Sequence, residues 1–318
     1  MITIEHVYLL GGAFFAAIAL MSALDGANKK RIGNALFWGL LATSFLFGSH
    51  LSDLANGLIV LGLIGVGGTG LLGQSKPPTT SAEERAASAA KRQDWLFAPA
   101  LIVPAVALFG ALCLKNVAIG EAPLLQTSQA TLISLVIGIA IALAVALAWL
   151  RPPPLAPLQE GRRLIDTVGW AAILPQMLAS LGAVFALAGV GGEVGRIVAL
   201  YLPLDAPFFA VAAFCIGMAL FTMIMGNAFA AFPVMSAAIG LPLIVQRFGG
   251  DPAIMGAIGM LAGFCGTLMT PMAANFNIVP AALLELKDRD GVIKAQIPTA
   301  IPLLLCNIAL MYFLVFRF

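Results

Sequence analysis

Charge is scarce in this chain. Of its 318 residues, 10% are Asp, Glu, Lys or Arg, where a soluble domain carries about a quarter. A water-facing surface cannot be built from so few, which excludes a soluble protein and a soluble domain on a single anchor. Histidine is limited to His6 and His50. The four cysteines (Cys113, Cys215, Cys265 and Cys306) stand singly inside apolar runs. That pattern excludes a disulfide framework and a Cys/His metal site, and the cysteines read as small packing residues. Catalytic signatures are missing as well. There is no His/Asp/Glu cluster, no G-x-S-x-G, no H-E-x-x-H and no phosphate loop, so the chain reads as a non-enzyme with no bound cofactor. The glycine-rich run Gly65–Gly70 lies in an apolar span without a following Lys and reads as helix packing. The bases sit in short loops between apolar runs, so the net charge of +2 is no sign of nucleic-acid binding, and none is expected.

What remains is apolar: 61% of the residues are hydrophobic and the mean hydropathy is +1.00. A helix needs about 20 apolar residues to cross the hydrocarbon of a bilayer. Charge-free runs at Val7–Leu24, Ile32–Ser49, Leu54–Ser75, Trp95–Leu114 and Gln126–Leu150 each fit one crossing. Glu5 and His6 stand where a cleaved signal would have bases, so the first run is expected to stay as a span. Lys29–Arg31 follow the first span, Lys76, Arg85, Lys91 and Arg92 the third, and Arg151, Arg162 and Arg163 the fifth. The positive-inside rule puts all three loops in the cytoplasm and the N-terminus outside. Ser81 with Glu84 resembles a capping box opening a short surface helix after Pro77-Pro78.

The second half is less regular. Its charge-free runs are Thr167–Gly192, Ala206–Gln246, Pro252–Leu284 and Ala295–Phe316. Full crossing by the first would put Arg196, Lys287, Arg289 and Lys294 outside. A re-entrant hairpin over about 168–202, dipping from the cytoplasm, brings them back inside with Arg247. The hairpin is the expectation. It gives about ten crossings with both termini outside. Asp25, Asp53, Asp205, Asp251 and Glu285 are expected near span ends.

Polar and helix-loosening residues at membrane depth mark where chemistry could sit, because freed backbone there survives only where it is buried or lines a cavity. The sharpest case is Gly226-Asn227, in the middle of a run without charge between Asp205 and Arg247. Asn227 could bind a solute or glue helices together. In the hairpin, Pro175 and the glycines, Gly182, Gly189 and Gly191 among them, loosen the helix. Its tip could offer N–H groups to an anion, with Gln176 and Ser180 adding contacts; alternatively the glycines only permit close packing. The third element, GTLMTPMAANFNIVP, gathers Thr267, Thr270, Asn275 and Asn277 around Pro271, as either a solute or Na⁺ site or an ordinary turn. Glu193 is a candidate proton carrier, or a partner for Arg196 one turn away.

The runs MGNAFAAFPVM, GGDPAIMGAIGMLAGFCGTLMTPMAANFNIVPAALLELKD and IPTAIPLLLCNIALMY resemble a bacterial membrane family, domain-of-unknown-function family 979 (DUF979), and the resemblance spans the whole chain. It implies one subunit of a two-subunit carrier for 5-oxoproline in the bacterial inner membrane, partnered by a smaller membrane protein of the DUF969 family. A more distant likeness is to the gluconate and dicarboxylate permeases of the ion-transporter superfamily. In them a glycine-rich re-entrant segment precedes a span and a broken helix, here LASLGAVFALAGVGGEVGRIV and GNAFAAFPVM. Those permeases carry two inverted units. This chain shows one, so the resemblance implies that the companion supplies the other.

The sequence therefore leads to an all-α, polytopic integral membrane protein. Residues 1–150 form a five-span half, 151–165 a proline-rich cytoplasmic linker, and 166–318 a transport-type half. That half holds the hairpin, broken helices at about 226–246 and 266–286, and a final span at about 296–316. The expected function is secondary transport of a small organic anion by alternating access, coupled to H⁺ or Na⁺. The alternatives are an assembly subunit without its own substrate site and a membrane enzyme acting on lipid. Expected partners are the bilayer, the anion and the smaller subunit; a homo-oligomer is compatible with the chain.

Overall fold

Backbone satisfaction decides the architecture: in hydrocarbon every N–H and C=O must find a partner inside the chain, so the apolar runs become helices. The computed structural model describes residues 1–75, 80–119, 122–201, 206–284 and 286–317. Among them it is all-helical apart from a two-residue β-ladder, β1 (Ala118–Ile119) with β2 (Ala122–Pro123). Among the described residues seven helical stretches are long and apolar enough to cross a membrane, and three shorter apolar helices accompany them. Pro77, Pro78, Asp205 and Glu285, expected at helix or span ends, lie outside the described residues. The chain divides into two compact units, Met1–Gly169 and Trp170–Phe318.

The first unit contains α1 (Ile4–Leu24), α2 (Arg31–Phe47), α3 (Asp53–Gly68), α4 (Ala82–Arg92), α5 (Ala98–Leu112), α6 (Ala130–Leu150) and α7 (Ala156–Val168). The turn between α1 and α2 is set by side chains that accept from backbone N–H two residues on, Asp25 from Ala27 at 3.1 Å and Asn28 from Lys30 at 2.9 Å. The expected run to Ser75 stops being helical at Gly68. Beyond it the chain turns at Thr69-Gly70 and continues without regular structure; Asn34 brackets the Gly73 peptide with two hydrogen bonds, 2.6 and 2.9 Å, and Lys30 Nζ donates to the Gly70 carbonyl at 2.7 Å. The capping box is present: Ser81 Oγ accepts from Glu84 N at 3.1 Å and Glu84 Oε2 from Ser81 N at 2.8 Å. Following the proline-rich 151–155, the chain turns helical as α7. At the other end of α1, Ile2 pairs with the segment before α6, donating to the Leu124 carbonyl at 2.8 Å.

In the second unit α8 (Leu174–Leu187) and α9 (Val190–Tyr201) precede α10 (Pro207–Met225). Then come α11 (Ala228–Met235), a π-helical segment Ser236–Arg247, α12 (Pro252–Thr267), α13 (Ile278–Leu283) and α14 (Gly291–Leu314). The core is the face of α10 that repeats every three to four residues, Val211, Phe214, Met218 and Met225, packed on α11, α12 and α14. Gly259 and Gly263 of α12 accept the Phe214 ring and the Met218 methyl, the small-residue packing that membrane helices favour. At Gly226-Asn227 the helix is interrupted: α10 ends at Met225 and α11 begins at Ala228. A second break, residues 268–277, separates α12 from α13. The π-helical segment contains Pro242, which lacks the N–H a regular ladder requires. In π-helices, which are rare, one extra residue sits in each turn.

Candidate functional site

Both breaks in the second unit meet at one place. Gly226 ends α10 in a left-handed conformation, φ +74°, with its N–H on the Thr222 carbonyl at 2.7 Å. A Cβ there would stand 2.4 Å from the Met272 carbonyl oxygen. Glycine is thus required twice, by the backbone and by the approach of the second break. Asn227 caps α11: its Oδ1 accepts from Phe229 N at 2.8 Å, one of the donors a helix start leaves orphaned.

The second break is braced from within. Thr270 Oγ1 donates to the Met223 carbonyl in the last turn of α10 at 2.8 Å and accepts from Met272 N at 3.2 Å. Asn277, fully buried, donates through Nδ2 to the Thr267 and Thr270 carbonyls at 2.8 and 2.6 Å. Thr267 Oγ1 donates to the Phe264 carbonyl at 2.6 Å. These side chains replace the ladder that ends with α12 and that Pro271 cannot resume.

A cavity of about 190 Å³ opens where α10 gives way to α11. Its polar lining residues are Asn227, Thr267 and Asn275, beside Gly226 and Ala228; Phe229, Phe264, Phe276, Leu174 and Leu178 supply apolar walls. Phe264 lies 5.9 Å from Phe229 and 6.4 Å from Phe276, ring centre to ring centre. Among the described residues the lining carries no charged residue. A solute held here would meet two amides and the start of a helix, whose dipole favours negative charge.

Of the candidate residues, the cavity therefore gathers Gly226, Asn227, Thr267 and Asn275. Thr270 and Asn277 stand behind it as braces. Gln176 and Ser180 are exposed on α8, with Ser180 Oγ donating to the Gln176 carbonyl at 3.0 Å. Gly182 and Gly191 are packing positions: a Cβ at Gly182 would lie 2.6 Å from Ala230 Cα, and one at Gly191 2.8 Å from the Val234 carbonyl oxygen. Gly189, at φ +71°, makes the turn between α8 and α9. Glu193 is exposed and paired with Arg196 at 3.2 Å. The aromatic walls escaped the sequence reading, since nothing in an apolar run sets Phe229, Phe264 and Phe276 apart from lipid-facing phenylalanines.

Comparison with known proteins places this geometry in a family. The family described as "Protein of unknown function (DUF979)" matches residues 5–316. The chain belongs to the DUF979 family. The match runs through both units, so the breaks at 226–227 and 268–277 and the cavity between them lie inside the DUF979 region. No curated protein and no solved structure matches the chain.

Proposed function

We propose that this DUF979 protein is a subunit of a secondary carrier for a small organic anion, with the solute bound where α10 breaks into α11. The observation that carries the reading is the cavity of about 190 Å³ lined by Asn227, Asn275 and the start of α11, inside a chain otherwise apolar enough to span a bilayer. A helix start at membrane depth replaces part of a carboxylate's hydration without a buried cation, as in carriers built on discontinuous helices. The resemblance drawn from the sequence supplies 5-oxoproline as the solute, H⁺ or Na⁺ as the coupling ion and a DUF969 protein as the smaller partner. On this reading α8 and α9 form a hairpin that enters from the cytoplasm and moves against the α10–α12–α14 core. The chain sits multi-pass in the inner membrane with both termini outside.

A second reading, an assembly subunit, draws on the bracing: the Thr267 and Thr270 hydroxyls and the Asn277 amide are engaged with backbone, as in a structural turn. Uptake of labelled 5-oxoproline into cells expressing the chain with and without its companion separates the two. We expect Asn227→Ala and Asn275→Ala to cut uptake about tenfold or more, the loss of one to two good hydrogen bonds to an ionised solute. Asn227→Ser, which keeps a cap, controls for folding. Normal uptake by both alanine variants in an assembled complex would remove the cavity from the pathway.

A further inference from the structure

A second cavity, of about 170 Å³, is lined from α12 and α14 and shares Phe264, Thr267 and Phe276 with the first. Among the described residues no charged side chain lines it. Its polar groups can be counted one by one. The Thr267 hydroxyl donates to the Phe264 carbonyl at 2.6 Å. The Cys265 thiol donates to the Leu261 carbonyl at 3.4 Å. Both hydrogens are therefore spent within α12. The Cys265 sulfur is left as an acceptor, and Asn307 of α14 donates to it through Nδ2 at 3.5 Å. That contact fixes which way the Asn307 amide points, Nδ2 to the sulfur and Oδ1 away from it.

Asn307 stands where an amide is costly. It is 3% exposed and lies about two turns, or about 10 Å, before the end of α14. Sulfur is a weak acceptor, so the bond to Cys265 offsets little of the cost of holding an amide out of water. Among the described residues the Asn307 side chain makes no other hydrogen bond. Its Oδ1 is left to the cavity that the residue lines. An amide that only joined two helices would reach a strong acceptor or donor on the neighbour, as Asn277 reaches two carbonyls.

The walls decide what fits. Phe264 and Phe276, 6.4 Å apart between ring centres, and the leucine Leu303 make the space apolar. Each buried water needs two to four polar partners, and one amide cannot hold the several waters that would fill this volume. A dry cavity of about 150 Å³ with leucine and phenylalanine walls takes one benzene ring. An acyl chain of the bilayer suits the walls but brings no donor for Oδ1, and an ion would find no counter-charge. We propose that this cavity binds one uncharged, ring-sized molecule bearing an N–H or O–H, its ring against Phe264 and Phe276 and its donor on Asn307 Oδ1. The site stands on α12 and α14 alone and does not rest on the carrier reading.

Two fluorinated probes of one size test it, 4-fluorophenol with a donor and 4-fluorotoluene without. Each is titrated by ¹⁹F NMR into the full-length protein in lipid nanodiscs, with empty nanodiscs subtracted to remove partition into lipid. 4-Fluorophenol is expected to give a protein-dependent resonance that unlabelled phenol displaces. 4-Fluorotoluene is expected to bind about tenfold more weakly or less, the loss of one hydrogen bond at a dry site. Asn307→Leu is expected to bring 4-fluorophenol down to the level of 4-fluorotoluene, with a thermal midpoint equal to or above that of the wild type, because a costly amide is gone. Leu303→Trp, which fills the cavity from a half-exposed wall, is expected to abolish binding of both probes and serves if the first variant fails to fold. The absence of a protein-dependent 4-fluorophenol resonance overturns the proposal. So does full 4-fluorophenol binding by a folded variant. Equal affinity for the two probes overturns it too, and makes the cavity a place for hydrocarbon such as a lipid chain.

Discussion

Asn277 shows what a single residue does at membrane depth. Its side chain is fully buried and its Nδ2 holds two carbonyls that the end of α12 leaves without helical partners. Asn277→Ala removes both bonds and strands both acceptors, where water cannot replace the lost donor. We expect a loss of about 1–3 kcal/mol, read as a lower thermal midpoint of the purified protein. Asn275→Ala, exposed at the cavity mouth, should leave that midpoint nearly unchanged. Both amides were legible as polar intrusions in an apolar run. Which one braces and which one faces open space was not, because that depends on how residues 268–277 fold back on α10.

At the scale of elements, the breaks were written locally. Gly226-Asn227 and Pro271 each deny the helix something it needs, a favoured dihedral or a donor, and the structure interrupts its helices at both. The π-helical turn after α11 had no comparable signal beyond Gly240 and Pro242. Within it Gly240 packs closely against Met255 and Phe214, where a Cβ would stand 2.9 Å from the Met255 sulfur. Helices α8 and α9 have 14 and 12 residues, about 21 and 18 Å, against about 30 Å of hydrocarbon. α9 is too short to cross alone, whereas α8 closes the helical stretch Ala156–Leu187, which is long and apolar enough to cross; labelling from the two sides decides between the proposed hairpin and a span. A single cysteine at Arg196→Cys, in a background without the four native cysteines, is then expected to react with an impermeant thiol reagent only from the cytoplasmic side. Reaction from outside would mean that the segment crosses.

Across the whole chain, the bases of the first unit are consistent with the proposed orientation. Asp25 and Arg162, far apart in sequence, meet at one end of α1, and Ile2 meets Leu124 at the other. Two basic loops thus share one end, and the N-terminus shares the opposite end with the segment before α6. The same ion pair gives the fold a pH dependence. Burial alone would push the Asp25 carboxyl up, but the Arg162 guanidinium and the Ala27 and Asn28 N–H groups outweigh it and hold it below the ordinary carboxylate range. A depressed carboxylate contributes stability that is fully present above its unfolded value and is lost as pH falls through its folded one. We therefore expect the thermal midpoint to drop on acidification below about pH 4, and Asp25→Asn to start lower and show a flatter acid limb.

Composition and local spacing were enough to establish the membrane class, the helical content and the places where helices fail. Each follows from the length of an apolar run or from one residue's backbone, and needs no knowledge of neighbours. The pairing of Trp38 with Asp166, Arg162 with Asp25 and Thr270 with Met223 came only from the folded chain. Helices that face lipid are apolar on every side, so their sequences carry no stripe to say which face meets which. Close packing of small residues and the need to satisfy each buried polar group make that choice, and both are properties of helices already assembled.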